Sequence, residues 1–131
     1  MLIYLWLGLG GALGTVARYW VNGFVSRYFD TFPMGTMLIN ITGSFLIAFF
    51  GALTGPDGRW LVSPQLRAFF MVGVCGGYTT FSSFSLQTLE LARAGEWLRA
   101  GANVVGSFTL CLAAAWLGYA AALAWKPTKG L

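Results

Sequence analysis

The sequence predicts an all-α integral membrane protein with four transmembrane helices, the third of them broken near mid-membrane. The first reason is composition, because 57% of the 131 residues are hydrophobic and only 9% are charged. Typical soluble domains carry about 25% charged residues, and a soluble domain with so few could not cover its apolar atoms. The second reason is that the apolar residues fall into four long segments with short polar connections between them.

Composition also excludes several functions. Histidine is absent, which removes the usual proton shuttle and the commonest metal ligand. The net charge of +4 is spread along the chain without a basic run, so nucleic acid is not an expected partner. The sequence shows no nucleophile–base pair, metal-ligand cluster or phosphate loop, so it does not predict an enzyme. The two cysteines, Cys75 and Cys111, form no CxxC motif and are typical of small buried apolar side chains.

Each of the four apolar segments is long enough to cross a bilayer, which takes about 20 residues in a helix. They comprise residues 2–24, 34–53, 65–91 and 100–125. The connections between them contain turn or breaker residues such as Pro33, Pro56 and Gly95. None is long enough to separate domains, so residues 1–131 are predicted to form a single four-helix transmembrane domain.

Positive charge is almost evenly divided between the two sides of the predicted bundle. With four crossings, both termini lie on the same side as the second connection, and that side carries Arg59, Arg67, Lys126 and Lys129. The opposite side carries Arg27, Arg93 and Arg99. With Arg18 excluded because it lies within the first segment, four against three gives almost no orientation signal. Either one position dominates and the topology is single, or the chain inserts both ways and pairs antiparallel.

Two polar features lie within the first and second segments. Arg18 either extends to a nearby interface or places a fixed positive charge at the mouth of an anion path. Thr36, Asn40 and Ser44 are spaced four residues apart and share one helix face. Asn40 offers two uncharged N–H donors, and it either forms an interhelical hydrogen bond or donates to an ion.

The stretch GVCGGYTTFSSFS, residues 73–85, interrupts the third segment. We expect Gly76-Gly77 followed by Thr79-Thr80 to break the helix there. Broken backbone within a membrane is tolerated where it is buried in protein or lines a cavity. Its carbonyls are then free to bind ions.

Two phenylalanines follow the expected break. Phe81 and Phe84 are three residues apart, so they project from neighbouring positions if the helix resumes. Either they only pack as apolar side chains, or they turn their positive ring edges toward an anion. A polar site without charge binds an ion weakly enough to let it leave, as conduction requires.

At these residues the chain resembles the Fluc/CrcB family of fluoride channels. The segments that carry the resemblance are GGALGTVARYW, GTMLINITGSF, GVCGGYTTFSSFS and NVVGSF, in this order along essentially the whole chain. The resemblance implies a passive channel that exports cytoplasmic fluoride. It also implies a dual-topology antiparallel homodimer with two pores, in the plasma membrane (the inner membrane of a bacterium).

The resemblance further implies roles for particular residues. Asn40 would donate to fluoride, and Phe81 and Phe84 would present ring edges to it. Polar residues along or near the pore would be Thr36, Ser82, Ser83 and Arg18. The backbone carbonyls of Gly76 and Thr79 would hold a structural sodium ion at the dimer centre. The chain departs from the family at Gln87, where a glutamate is frequent, and at Ser83, where threonine is frequent.

Two other functions remain open from the residues alone. Small multidrug-resistance exporters are also four-helix proteins of dual topology, but their proton coupling needs a glutamate in the first helix. This chain has no acidic residue there; its acids are Asp30, Asp57, Glu90 and Glu96. A non-conducting membrane scaffold is also compatible with the sequence, although it would leave the broken third helix without a purpose.

Overall fold

The computed structural model describes residues 1–125, and no β-strand occurs within that range. Lys126 and Lys129, which entered the charge count, lie outside the described residues. The helices are α1 (Leu2–Val25), α2 (Met34–Thr54), α3 (Pro64–Ala68), the π-helix π1 (Phe69–Cys75), α4 (Gly76–Tyr78), α5 (Phe81–Arg93) and α6 (Trp97–Ala124). The segments α3, π1 and α4 follow one another without a gap, so the third apolar segment is one helical rod up to Tyr78.

The helix ends follow the turn chemistry of the sequence. Ser63 caps α3 by accepting a hydrogen bond from the Leu66 amide at 3.2 Å, and Pro64 occupies the first helical turn. Gly95 turns the chain between α5 and α6 with φ of 79°, a conformation that favours glycine. The helix of the fourth predicted segment is α6. It begins at Trp97 rather than at residue 100 as predicted, because the turn at Gly95 lets it start at once.

Successive long segments alternate in direction, since Gly35 at the start of α2 lies against Asn22 near the end of α1. The glycines of α1 face the third segment in parallel order, since Gly10 lies against Gly73 and Gly14 against Gly77. The helices α2 and α6 are also parallel, because Gly106 lies beside Met37 and Gly118 lies beside Phe45. The first and third segments therefore form one pair, and the second and fourth form the other. This alternation is what four successive crossings of a membrane require.

Apolar side chains cover the outside of the single chain. Within residues 1–125, α2 and α6 are long and apolar enough to cross a membrane. Large exposed side chains also line α1, which carries Arg18 and several aromatic residues. Only a few large side chains, such as Ile39 and Leu53, are fully buried. So much exposed apolar surface requires lipid or a second protein surface.

The third segment is interrupted at the threonines and not at the glycines. Gly76 keeps helical torsion angles, with φ of −64° and ψ of −38°. Thr79 and Thr80 are extended, with ψ of 157° and 112°. Gly77 is needed for close packing, because a Cβ atom there would lie 2.5 Å from the Gly11 carbonyl oxygen. The β-branched threonines favour extended backbone, so the break expected at Gly76-Gly77 followed by Thr79-Thr80 falls at the two threonines, while Gly76-Gly77 stays helical.

Replacement of Gly14 by alanine is expected to destabilise the fold. A Cβ atom at Gly14 would clash with the Val74 carbonyl and lie 2.7 Å from the Tyr78 amide nitrogen. These are backbone atoms that cannot rotate away, and overpacking of this kind costs about 1–3 kcal/mol. The thermal unfolding midpoint in detergent should fall for Gly14→Ala but not for the matched control Gly8→Ala, where a Cβ meets nothing within 4 Å. Equal midpoints would show that the α1 contact is looser than the structure indicates.

Candidate ion-conducting site

Asn40 holds the broken segment by two hydrogen bonds to one residue. Its side-chain amide donates from Nδ2 to the Thr80 carbonyl at 3.0 Å, and its Oδ1 accepts from the Thr80 amide at 2.8 Å. The two residues are 40 positions apart, so this pair joins α2 to the break. A primary amide has two N–H donors, and Thr80 takes one. The interhelical bond and a donor role are therefore compatible in one side chain.

The break leaves two backbone carbonyls without their helical donors. In a continuous helix the Thr80 amide would donate to the Gly76 carbonyl four residues earlier, but here it donates to Asn40. The Ser83 amide would likewise donate to the Thr79 carbonyl, but it donates to Thr80 Oγ1 at 3.2 Å. The Gly76 and Thr79 carbonyl oxygens thus lack their helical donors. These are the two carbonyls that the family resemblance assigns to sodium.

Thr80 also begins the next helix. Its hydroxyl caps α5 through the Ser83 amide and donates to Ser83 Oγ at 3.1 Å. The Ser82 hydroxyl lies 3.4 Å from the Thr80 hydroxyl. Ser82 is exposed and Ser83 is half-buried. Both serines therefore belong to a hydroxyl cluster at the start of α5, immediately after the break.

The two phenylalanines lie together at the start of α5. The Phe81 and Phe84 ring centroids are 5.4 Å apart, at an interplanar angle of 46°. Phe84 also packs edge-to-face on Phe108 of α6, with centroids 5.8 Å apart and an angle of 81°. Phe84 is 7% exposed and so fixed by the fold, whereas Phe81 is 69% exposed on the single chain. One ring is held by α6, and the other is open to lipid or a second copy.

A cavity of about 300 Å³ lies between α2, the break and α6. Its polar wall contains Asn40, Ser44, Thr79, Thr80, Ser107, Cys75 and Cys111. Its apolar wall contains Ile47, Phe81, Phe84, Phe108 and Leu112. Among these described lining residues none is Asp, Glu, Lys or Arg. The cavity can therefore offer an ion N–H and O–H donors, carbonyls and ring edges, but no fixed charge.

The structure brings only some of the predicted site residues to this cavity. Asn40, Thr79, Phe81 and Phe84 line it, and Ser44 joins them from the same face of α2. The others lie outside its lining: Thr36, Ser82, Ser83, Gly76 and Arg18. Thr36 is buried one turn before Asn40. Arg18 is half-buried and makes no hydrogen bond or ion pair within residues 1–125.

Sequence reasoning gave no role to Asn103, the most deeply buried polar side chain near the site. Asn103 is 2% exposed and donates from Nδ2 to Thr88 Oγ1 at 2.9 Å. Thr88 in turn donates to the Phe84 carbonyl at 2.8 Å. Ser107, which lines the cavity, donates to Asn103 Oδ1 at 3.3 Å. The sequence pattern that could have identified Asn103 lies in the segment NVVGSF, where Asn103 and Ser107 repeat the four-residue spacing of Asn40 and Ser44.

Asn103→Leu is expected to loosen α5 from α6. The change removes two side-chain hydrogen bonds, each worth about 0.6 kcal/mol on average inside a membrane, so the expected loss is about 1 kcal/mol. Heat-induced loss of the folded protein, followed by size-exclusion chromatography, should begin at a lower temperature. The control is Thr42→Val, which removes a hydroxyl bonded to Tyr78 at 2.9 Å on an exposed face. Unchanged stability of Asn103→Leu would contradict the role of this chain of hydrogen bonds.

Gln87 belongs to a second cavity, of about 520 Å³, between the end of α1, the first connection and α5. Its side-chain Oε1 is buried and accepts no hydrogen bond in the part of the chain that the structure describes. Asn22, Asp30 and Glu90 lie on the same wall. The departure from the family at this position therefore lies apart from the cavity that contains Asn40.

The fold and the cavity together define a helical membrane protein whose broken third segment lines an uncharged cavity. Comparison with known proteins gives the family. The chain matches the family described as CrcB-like protein, Camphor Resistance (CrcB), over residues 5–119. The chain belongs to this family, as its resemblance to Fluc/CrcB proteins predicted.

Individual relatives match along nearly the whole chain. The fluoride-specific ion channel FluC of Opitutus terrae is 56% identical over 131 residues, which is 99% of each chain. The protein of the same name from Methylocella silvestris is 56% identical over 128 residues, 97% of this chain and 98% of its own. That of Rhodospirillum rubrum is 55% identical over 121 residues, 92% and 94% of the two chains. With its apolar helices and this family, the chain is an integral membrane protein.

Proposed function

We propose that this chain is a passive, fluoride-selective ion channel that lets cytoplasmic fluoride leave the cell down its electrochemical gradient. The observation that carries the proposal is one uncharged cavity lined by Asn40, Phe81 and Phe84 at the helix break. The names of the relatives, which are similar over the whole chain, support it. Those names describe ion channels, and the chain is not an enzyme.

The geometry accounts for binding that is selective but weak. Fluoride is small and strongly hydrated, so only close, converging donors replace its water. Asn40 keeps one Nδ2–H after its bond to Thr80, and the rings of Phe81 and Phe84 offer positive edges. The absence of Lys or Arg from the described lining lets the ion leave again. Passive exit of the anion protects a cell in acidic surroundings, where neutral hydrogen fluoride enters and dissociates.

The proposed assembly is an antiparallel, dual-topology homodimer of the single four-helix domain, with four spans per chain and two pores. Three observations support it. Positive charges divide four against three between the two sides, so neither orientation is favoured. Phe81 is 69% exposed beside Phe84, which is 7% exposed, so the site of one chain is open on one side. Four helices are also too few to enclose a water-lined path.

A structural sodium ion at the dimer centre fits the residues present. The break frees the carbonyl oxygens of Gly76 and Thr79, because the Thr80 and Ser83 amides donate to side chains instead. Carbonyl oxygens suit a hard cation such as sodium. We propose that these oxygens, one set from each chain, hold the ion, which would supply positive charge to the assembly between the two pores.

The proton-coupled exporter has less support. Such a mechanism needs an ionisable group within the membrane, and α1 contains no acidic residue. The scaffold alternative predicts no ion flux at all.

We further propose that Arg18 stands at the mouth of the anion path, where an unpaired positive charge attracts fluoride without entering the cavity.

The first test is rescue of a bacterial strain that lacks its own fluoride exporter. Expression of this chain should restore growth in millimolar fluoride, and the benefit should be larger in acidic than in neutral medium. An Asn40→Asp variant present in the membrane at the same level is the control, and it should not rescue. Sensitivity equal to that of the empty strain, with the protein correctly inserted, would exclude fluoride export.

A further inference from the structure

We propose that the cavity beside Asn40 is a binding site for a soft, thiophilic monovalent metal cation, and that an ion bound there blocks the fluoride path. Ag⁺ is the probe. The inference rests on the proposed function for its effect on flux, but metal binding itself does not depend on that function.

Two cysteine thiols, on different helices, line the cavity that contains Asn40. Cys75 ends π1, four residues before the break, and is 3% exposed. Cys111 is half-buried on α6, four residues after Ser107 and eight after Asn103, so all three share one face of that helix. Both thiols are free rather than joined in a disulfide. The wall of the cavity therefore contains two soft ligands, contributed by different helices.

The other lining groups restrict the ions that can be held. No described lining residue is acidic or basic, so the two thiols are the only ionisable side chains in the wall. Oxygen ligands suit hard cations, whereas thiolates select soft ions such as Cu⁺ and, by the same chemistry, Ag⁺. Methionine sulfur does not contribute to this wall.

Charge balance also favours a soft monovalent ion. When Ag⁺ binds a thiol, the S–H bond breaks, an S–Ag bond forms and the proton passes to water. One positive charge enters and one leaves, so the complex is neutral. A neutral complex suits a cavity whose other walls include Ile47, Phe108 and Leu112. No oxidant or reductant is needed.

The position of the thiols explains why a bound ion would stop fluoride. Cys75 and Cys111 share the cavity with Asn40, Phe81 and Phe84. The whole cavity is only about 300 Å³, and silver with its displaced side chains would fill part of it. Fluoride that must pass Asn40 then meets an occupied cavity.

The experiment measures silver retention and fluoride efflux on the same protein. Purified protein is incubated with silver nitrate in chloride-free buffer, since silver chloride precipitates but silver fluoride is soluble. After gel filtration, retained silver is measured by mass spectrometry, and fluoride efflux from liposomes is recorded with and without silver. The double variant Cys75→Ser/Cys111→Ser keeps every methionine and serves as the control, with its own silver-free efflux as baseline.

We expect the unaltered protein to retain a stoichiometric amount of silver and to lose its efflux, while the double variant retains none and keeps its own baseline. The two single variants should each retain less silver than the unaltered protein. Equal retention by the unaltered protein and the double variant would overturn the metal site. Retention of silver without loss of fluoride efflux would overturn the claim that the metal site lies on the fluoride path.

The two proposals fail separately. If the protein shows no fluoride efflux even without silver, the proposed function fails, and silver retention still decides whether the thiol site exists. If efflux is rapid but silver neither binds nor blocks, the channel stands and this inference is rejected.

Discussion

Phe84→Ile is expected to reduce the initial rate of fluoride efflux by about two- to tenfold, because aromatic contacts of this kind contribute about 0.5–1.5 kcal/mol and about 1.4 kcal/mol corresponds to a factor of ten. Isoleucine keeps an apolar side chain at a 7% exposed position but has no positive ring edge. It also removes the edge-to-face contact with Phe108. Phe81→Ile should have the same direction of effect.

The control distinguishes the loss of a ring edge in the cavity from a general loss of aromatic packing. Phe24→Ile removes a ring that is 50% exposed on α1, where it stacks on Trp20 and contacts Tyr28 outside the cavity. Its efflux should stay near that of the unaltered protein. Size-exclusion profiles of all variants must match before rates are compared. Normal efflux from a well-folded Phe84→Ile protein would contradict the role of the ring in conduction.

Asn40→Asp is expected to remove fluoride efflux almost completely. Two unit charges of the same sign about 4 Å apart repel by about 4 kcal/mol at an effective dielectric constant near 20, which corresponds to about a thousandfold at about 1.4 kcal/mol per factor of ten. A carboxylate would also face the Thr80 carbonyl, which now accepts from Asn40 Nδ2 at 3.0 Å. Both the ion and the break therefore lose a donor.

Asn40→Ser is the matched comparison, because it keeps a hydroxyl donor and introduces no charge. Its efflux should fall less than that of Asn40→Asp. Initial rates from liposomes with equal amounts of protein give the comparison directly. If both variants conduct as the unaltered protein does, Asn40 has no part in the path and serves only to hold the Thr80 backbone.

Much of the helical framework could be predicted from the sequence, because apolar run length and turn residues are local signals. The predicted second segment, residues 34–53, corresponds to α2 at Met34–Thr54. The predicted break included Gly76-Gly77 as well as Thr79-Thr80, because glycine was taken as a helix breaker, but only the threonines leave the helix. In fact the glycines are needed for close contact of α1 with the third segment, as between Gly77 and Gly11. That contact depends on tertiary packing and leaves no local signal.

The candidate site was partly predictable for a similar reason. Helical spacing placed Phe81 and Phe84 side by side, and their ring centroids are 5.4 Å apart. The double hydrogen bond between Asn40 and Thr80 joins residues 40 positions apart, so no local pattern could reveal it. Asn103 was missed although a buried amide in an apolar helix is the same signal that identified Asn40. Its partner Thr88 again lies on another helix.

The central claim is that the uncharged cavity at the helix break conducts fluoride selectively. The most direct test is fluoride efflux from liposomes that contain the purified protein, read with a fluoride electrode while valinomycin carries potassium to balance charge. We expect rapid efflux that needs valinomycin, with little chloride efflux in parallel vesicles. Absence of fluoride efflux from a well-folded preparation, or chloride efflux as fast as that of fluoride, would contradict the claim.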